Sequence, residues 1–307
     1  MSFAKTVKDE LIEKSILARR ISGQKPCCIH AENYGMFLFA RAFEYKKICI
    51  KTENETITSL YSNYAQNMTG KRPDIEKSKA GKYTVSVRTQ EERDKILDTF
   101  GHTGKEINRR LNRANLEEDC CMSSLIRGAF LACGTMTNPA KDYHLEFVIP
   151  HKTLCDDLKK LMNESDNYPK YVLRKGVHIL YFKDSEHVED ILTFMGATDA
   201  SLEVMGIKMY KSIRNKVNRR MNFENANASR AFEAAYRQIA AIRFIEETKG
   251  LGFLQGDLLE VAKLRMENIE YTLNDIAENL KEPLSKSGVN HRLRKIIETA
   301  ENLGWEG

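Results

Sequence analysis

The stretch SKSGVNHRLRK, residues 285–295, puts Ser285, Lys286, Ser287, Asn290, His291, Arg292, Arg294 and Lys295 within about three turns of a helix. Short hydroxyls, an amide and an imidazole suit hydrogen bonding to base edges, and ammonium and guanidinium groups suit phosphates or guanine. Ser287, Asn290 and His291 are the candidate base readers. Lys286, Arg292, Arg294 and Lys295 are candidates for phosphate, or for guanine where the side chain is an arginine. From Leu284 to Ile297 the chain carries four Lys or Arg and no acid. A second acid-free run, Ile207 to Arg220, carries six. Net charge is only +5 in 307 residues, so two such runs in a balanced chain point to a polyanionic partner. The second run contains Lys211, Arg214, Arg219 and Arg220, and an earlier NRR places Arg109 and Arg110 in a similar context. These residues either line a phosphate path or are solvated helix ends; the sequence leaves both open.

Other chemistry finds less support. The seven cysteines are odd in number and include two adjacent pairs but no CxxC, which fits neither a disulfide framework nor a zinc ribbon. They are expected to be small buried hydrophobes in a reducing compartment. The seven histidines form no HxxxH or HExxH pair, so neither a metal site nor a cofactor is expected. Hydrophobic residues at 42% and charged residues at 30% describe a globular chain, and no apolar run is long enough to span a membrane. The opening MSFAKTVKDELIEKS has charges throughout and is expected to form an amphipathic helix with Phe3, Val7, Leu11 and Ile12 inward, not a secretory signal. The expected location is the cytoplasm, with no membrane partner.

The positioning elements repeat. YTVSVRTQEERDKILDTFG at 83–101 recurs as HILYFKDSEHVEDILTFMG at 178–196, each a strand, a polar start and a helix closed by glycine. INRRLN at 107–112 recurs as VNRRMN at 217–222, and the helix AENYGMFLFARA recurs as SSLIRGAFLACGT. Each copy is predicted as αββαββα, with FEYKKICIKT and YHLEFVIP as strands, a strand near Asp74–Lys79, a turn at Gly81 and a hairpin turning at Lys175-Gly176. Ala31, Gly35, Leu38 and Ala42 in one helix, and Ser124, Gly128, Leu131 and Thr135 in the other, share a spacing that lets two backbones approach across a pseudo-dyad. Ordinary packing within each half is the alternative.

Asn and Ser at 225–229 are a candidate cap for a linker helix whose apolar stripe is Phe232, Ala235, Tyr236, Ile239 and Ile242, closed by Gly250. Beyond it, TLNDIAENLKEPLSKSGVNHRLRKIIETAENL has a helix-turn-helix layout. Leu273, Ile276, Ala277 and Leu280 form the inner face of its first helix, with Thr272 as the expected cap. Pro283 sits in the turn, Ser285 or Ser287 caps the second helix, and Val289, Leu293, Ile296, Ile297 and Ala300 face inward. The expected fold class is α+β: a duplicated domain with pseudo-twofold symmetry, then an all-α helix-turn-helix domain. The expected divisions are an N-terminal helix at 1–20, repeats at 21–112 and 113–220, a linker helix at 221–250 and the helix-turn-helix at 251–307.

MSFAKTVKDEL, LIRGAFLACGTMTNPAKDYHLEF, VNRRMNFENANASRAFEAAYRQIAAI and PLSKSGVNHRLRKI together resemble the WhiA family of bacterial regulators, over essentially the whole chain. The resemblance implies a first domain similar to LAGLIDADG homing endonucleases and a helix-turn-helix similar to region 4 of sigma factors. It also implies a DNA-binding role in transcription regulation, cell division, chromosome segregation and, in filamentous bacteria, sporulation. In homing endonucleases each leading helix ends in a metal-binding acid before a glycine. Here those positions hold Ala40, followed by Arg41, and Cys133, followed by Gly134. A methyl and a thiol supply no oxygen ligand for a hard cation, so a non-enzymatic protein is expected. The expected partners are double-stranded DNA, with RNA polymerase, a sigma factor or division proteins as further candidates, and the expected location is the nucleoid. Two rivals remain at this stage: a nuclease using acids elsewhere, such as Glu44 or Asp142, and a scaffold that binds the transcription or division machinery through the duplicated domain.

Overall fold

The computed structural model describes residues 2–21 and 25–307. They form two compact units, 1–211 and 212–307. Helix α1, Phe3–Ile21, opens the chain. The first repeat follows as α2 (Pro26–Leu38), β1 (Ala42–Glu44), β2 (Lys47–Thr52), α3 (Glu55–Thr69), β3 (Asp74–Lys77), β4 (Tyr83–Ser86) and α4 (Gln90–Thr99). The second is α5 (Cys120–Cys133), β5 (Gly134–Met136), β6 (Leu145–Ile149), α6 (Lys152–Glu164), β7 (Lys170–Arg174), β8 (Val177–Phe182) and α7 (Ser185–Met195). Both copies are therefore αββαββα, and their antiparallel sheets have equivalent orders, β1-β2-β4-β3 and β5-β6-β8-β7.

Local chemistry accounts for the boundaries. Thr89 and Glu92 form a capping box that starts α4, and Gly196, at φ 94°, closes α7 in the left-handed region. Lys175 and Gly176, both at positive φ, make the two-residue turn between β7 and β8. FEYKKICIKT is a hairpin, β1 and β2, where a single strand was expected: Glu44 pairs directly with Lys47 across a tight turn.

The pseudo-dyad is built by α2 and α5. A Cβ added at Gly35 would lie 2.3 Å from the Leu125 carbonyl oxygen, and one at Gly128 would lie 2.1 Å from that of Glu32. The glycines thus let the two helix backbones touch, as their spacing predicted, whereas Ala42 and Thr135, expected on the same helices, lie in β1 and β5. At this contact the fully buried Glu32 carboxylate meets the Arg127 guanidinium at 3.0 Å. Ser15 of α1 and Tyr64 of α3 also donate to Glu32, the latter at 2.8 Å. Phe3, Val7, Leu11 and Ile12 of α1 are buried in the same core.

Two expectations change here. INRRLN and VNRRMN, similar in sequence, differ in conformation. The first lies in irregular backbone after Gly101 and Gly104, both at positive φ, which end helical structure beyond α4. The second lies inside α8, which runs unbroken from Thr198 to Lys249 instead of starting near 221. Its 52 residues contain no proline and one glycine, Gly206, so nothing in them enforces a stop. The Asn and Ser at 225–229 are exposed interior residues, not a cap, and of the expected stripe Phe232 and Tyr236 are exposed while Ala235, Ile239 and Ile242 are buried. The all-helical second unit continues through α9 (Asp257–Glu267), α10 (Leu273–Glu278) and α11 (Lys286–Asn302).

The backbone contact generates a prediction. Gly128→Ala destabilises the first unit by about 3 kcal/mol, the upper end of ordinary overpacking, because its neighbour is a carbonyl and not a flexible side chain. Urea unfolding of the full chain measures this; a loss under about 0.5 kcal/mol, the size of an ordinary surface substitution, would refute the contact.

Candidate nucleic-acid interface

In the second unit, Ile276, Ala277 and Leu280 pack with Val289, Leu293, Ile296 and Ala300 over a core that includes Ile242, Ile245 and Val261. Thr272 and Asp275 form a capping box at the start of α10. Ser285 is the cap of α11, accepting the Gly288 N–H at 3.1 Å, and the Ser287 hydroxyl lies 2.9 Å from that of Ser285. Arg265 escaped the sequence reading. It is buried and donates to the Tyr271 carbonyl at 2.7 Å, holding the turn that leads into α10.

Packing the apolar side of α11 leaves its polar side outward. Ser285, Lys286, Ser287, His291, Arg294 and Lys295 are exposed, and Asn290 is half-buried. Lys286, Arg294 and Lys295 have no carboxylate partner among the described residues. Asn290 sits where clefts meet: one of about 460 Å³ is shared with Leu273, Ser285, Lys286 and Ser287, and another of about 550 Å³ with Arg230, Arg237 and Arg294. Arg292 behaves differently from the expectation. It folds back to the Gly288 carbonyl and forms a 2.7 Å ion pair with Asp257 of α9, so its guanidinium ties α11 to α9 instead of pointing outward.

The earlier arginines also divide. Arg109 is buried and paired with Glu44 at 3.1 Å, and Arg110 makes a two-pronged contact with Asp157. Together with Leu111, whose N–H donates to Asp157, they pin the irregular segment between the repeats, and neither presents a free cation. The reason is an acid far away in sequence in each case. Lys211 donates to the Pro139 carbonyl and lies over the Tyr143 ring, and Arg220 pairs with Glu224. Arg214 and Arg219 are exposed on α8.

In the first unit, the C-terminal ends of α2 and α5 open on a cleft of about 1260 Å³ lined by Ala40, Arg41, Cys133 and Gly134. The cleft collects Lys5, Lys8, Arg41, Lys51 and Lys82, with Glu53 as its single carboxylate, and Glu53 is paired with Lys82 at 2.8 Å. Lys8 donates to the Leu131 carbonyl at 3.2 Å, and burial lowers its pKa to about 8, with Cys133 opposing that shift. Burial pushes the Cys133 thiol up to about 12, so it stays protonated at neutral pH. Glu44 and Asp142 do not line this cleft: Glu44 is held by Arg109, and Asp142 accepts the Tyr143 N–H. With Lys5, Lys8, Arg41, Lys51 and Lys82 set against one paired carboxylate, the lining suits anions.

Lys8 carries a pH signature. Between about pH 8 and the ordinary lysine value, the unfolded chain holds a proton at this site that the folded chain has released. Stability therefore rises with pH across that window, and the gain is lost as pH falls through about 8. In NMR of the reductively methylated protein, the Lys8 resonance is expected to titrate near pH 8 and to be the resonance missing from Lys8→Met. A Lys8 midpoint above 10, in the range of free lysines, would contradict this.

Family models match two stretches: residues 122–214 match the WhiA LAGLIDADG-like domain, and 217–300 match the WhiA C-terminal HTH domain. A protein of Alkaliphilus metalliredigens described as a "Probable cell division protein WhiA" is 34% identical, over 98% of both chains. One of Ruminiclostridium cellulolyticum with the same description is 33% identical, over 99% of this chain and 98% of its own. The crystal structure of full-length DUF199/WhiA from Thermotoga maritima matches with a TM-score of 0.58 and 23% identity, over 98% of this chain and 99% of that one. With whole-length relatives at a third identity and a shared architecture, the chain belongs to the WhiA family.

Proposed function

We propose that this chain is a double-stranded-DNA-binding regulator acting in transcription, cell division and chromosome segregation at the nucleoid, and that its duplicated domain does not cut DNA. The observation that carries the reading is the outer face of α11, where Lys286, Arg294 and Lys295 stand exposed and unpaired beside Ser287 and His291. Such a face has hydrogen-bonding groups at the helix N-terminus for base edges and cations behind for the backbone. The name carried by the relatives supports the division role. The absence of cleavage rests on the first-unit cleft, where Ala40 and the protonated Cys133 occupy the expected acid positions among lysines. Metal-assisted hydrolysis there would place a divalent cation among like charges, with Glu53, already paired with Lys82, as the carboxylate of the lining.

The decisive experiment is an anisotropy titration of the full chain with promoter and random DNA at two salt concentrations with Mg²⁺, the endpoints then run on a denaturing gel. Intact DNA, preference for the promoter and a steep salt dependence are expected. Arg294→Ala is expected to cost roughly 1–3 kcal/mol in specific binding, and Lys295→Ala to weaken all sequences alike and reduce the salt slope by about 1. Cleavage would overturn the inactive domain. Absence of binding to either DNA would overturn the DNA assignment.

A further inference from the structure

Cys27, Cys28, Cys120 and Cys121 stand in the first turns of α2 and α5, at the end of the helix pair opposite the large cleft. Their four sulfur atoms all lie within 4.8 Å of one another, with Cys28 Sγ and Cys120 Sγ 3.3 Å apart. A tetrahedral zinc ion with Zn–S bonds of about 2.3 Å separates its sulfurs by about 3.8 Å, so small side-chain adjustments bring all four into a first coordination sphere. We propose that these four cysteines form a zinc site, Cys₄, that clasps the two repeats at the pseudo-dyad.

Three features of the chain fit this assignment. First, the ligands come symmetrically from the duplication: each cysteine pair occupies the same place in its own leading helix, one repeat apart. The spacing carries no CxxC because each helix supplies two adjacent thiols and the helix pairing supplies the rest. Second, α2 and α5 start side by side, and neither has a side-chain cap. The positive ends of the two helix dipoles therefore lie beside the sulfurs. Four thiolates around one Zn²⁺ carry a net charge of −2, which those dipole ends stabilise; Lys25 and Glu118, ion-paired beside Cys120, add no net charge. Third, the set is enclosed but reachable. Cys27, Cys28 and Cys121 are buried and Cys120 is exposed, which leaves a path for the ion. The other three cysteines, Cys49, Cys133 and Cys155, lie outside the cluster. An ion with closed coordination has no open position for substrate, so the role is structural.

The test uses the untagged full chain, purified under reducing conditions. Elemental analysis is expected to find one zinc per chain, released when the thiols are titrated with a mercurial. Replacing zinc with Co²⁺ is expected to give the thiolate-to-cobalt charge-transfer band and the intense visible bands of a tetrahedral tetrathiolate. Cys120→Ser, the exposed position, is expected to change that spectrum and to lose its zinc on dialysis against chelator, while Cys133→Ser retains both. Chelation of the wild type is expected to lower the melting temperature of the first unit without changing the α11 face. The wild-type cobalt spectrum decides the matter even if a variant fails to fold. A metal-free chain with seven free thiols and no cobalt bands would overturn the site. So would a Cys28–Cys120 disulfide in its place, iron instead of zinc, or zinc that persists unchanged in Cys120→Ser.

Discussion

Everything in the first unit hangs on two helix backbones in contact. Gly35 and Gly128 remove the side chains that would keep α2 and α5 apart, and the gap they leave is too small for a methyl group. Once the backbones touch, Glu32 and Arg127 are drawn out of water together, and hydrogen bonds from Ser15 and Tyr64 to the carboxylate help offset the cost of burying it. This arrangement sets the register of one repeat on the other. It thereby sets which residues meet at each end of the helix pair: Cys28 with Cys120 at one end, Ala40 with Cys133 at the other.

The two ends differ in their side chains, thiols at one and lysines at the other. At the C-terminal end the chain gathers lysines and keeps Cys133 as a thiol. That lining favours anions. The exposed cations of α11 extend the same preference into the second unit, on an unrelated helical framework.

Much of this was legible in the sequence because it is local. The duplicated αββαββα order, the Thr272 cap, the Lys175-Gly176 turn and the inner face of α11 all follow from short-range spacing. What escaped depends on partners distant in the chain. Arg109 and Arg110 look like free cations until Glu44 and Asp157 fold against them, and Arg292 looks outward until Asp257 takes it. INRRLN and VNRRMN show that six similar residues take whatever conformation their surroundings require, a connector in one copy and a helix interior in the other. The cysteine cluster left one usable signal, the recurrence of an adjacent pair at the start of each leading helix; a search for CxxC alone passes over it.

The Glu32–Arg127 pair is also where the duplication stops being symmetric. By the alignment of the leading helices, the place of Glu32 in the second copy is held by Leu125, and that of Arg127 in the first copy by Tyr34. A first repeat that paired with a second copy of itself would bury two carboxylates and no guanidinium, and a self-paired second repeat would bury two guanidinium groups without a carboxylate. Each half therefore discriminates against its own kind.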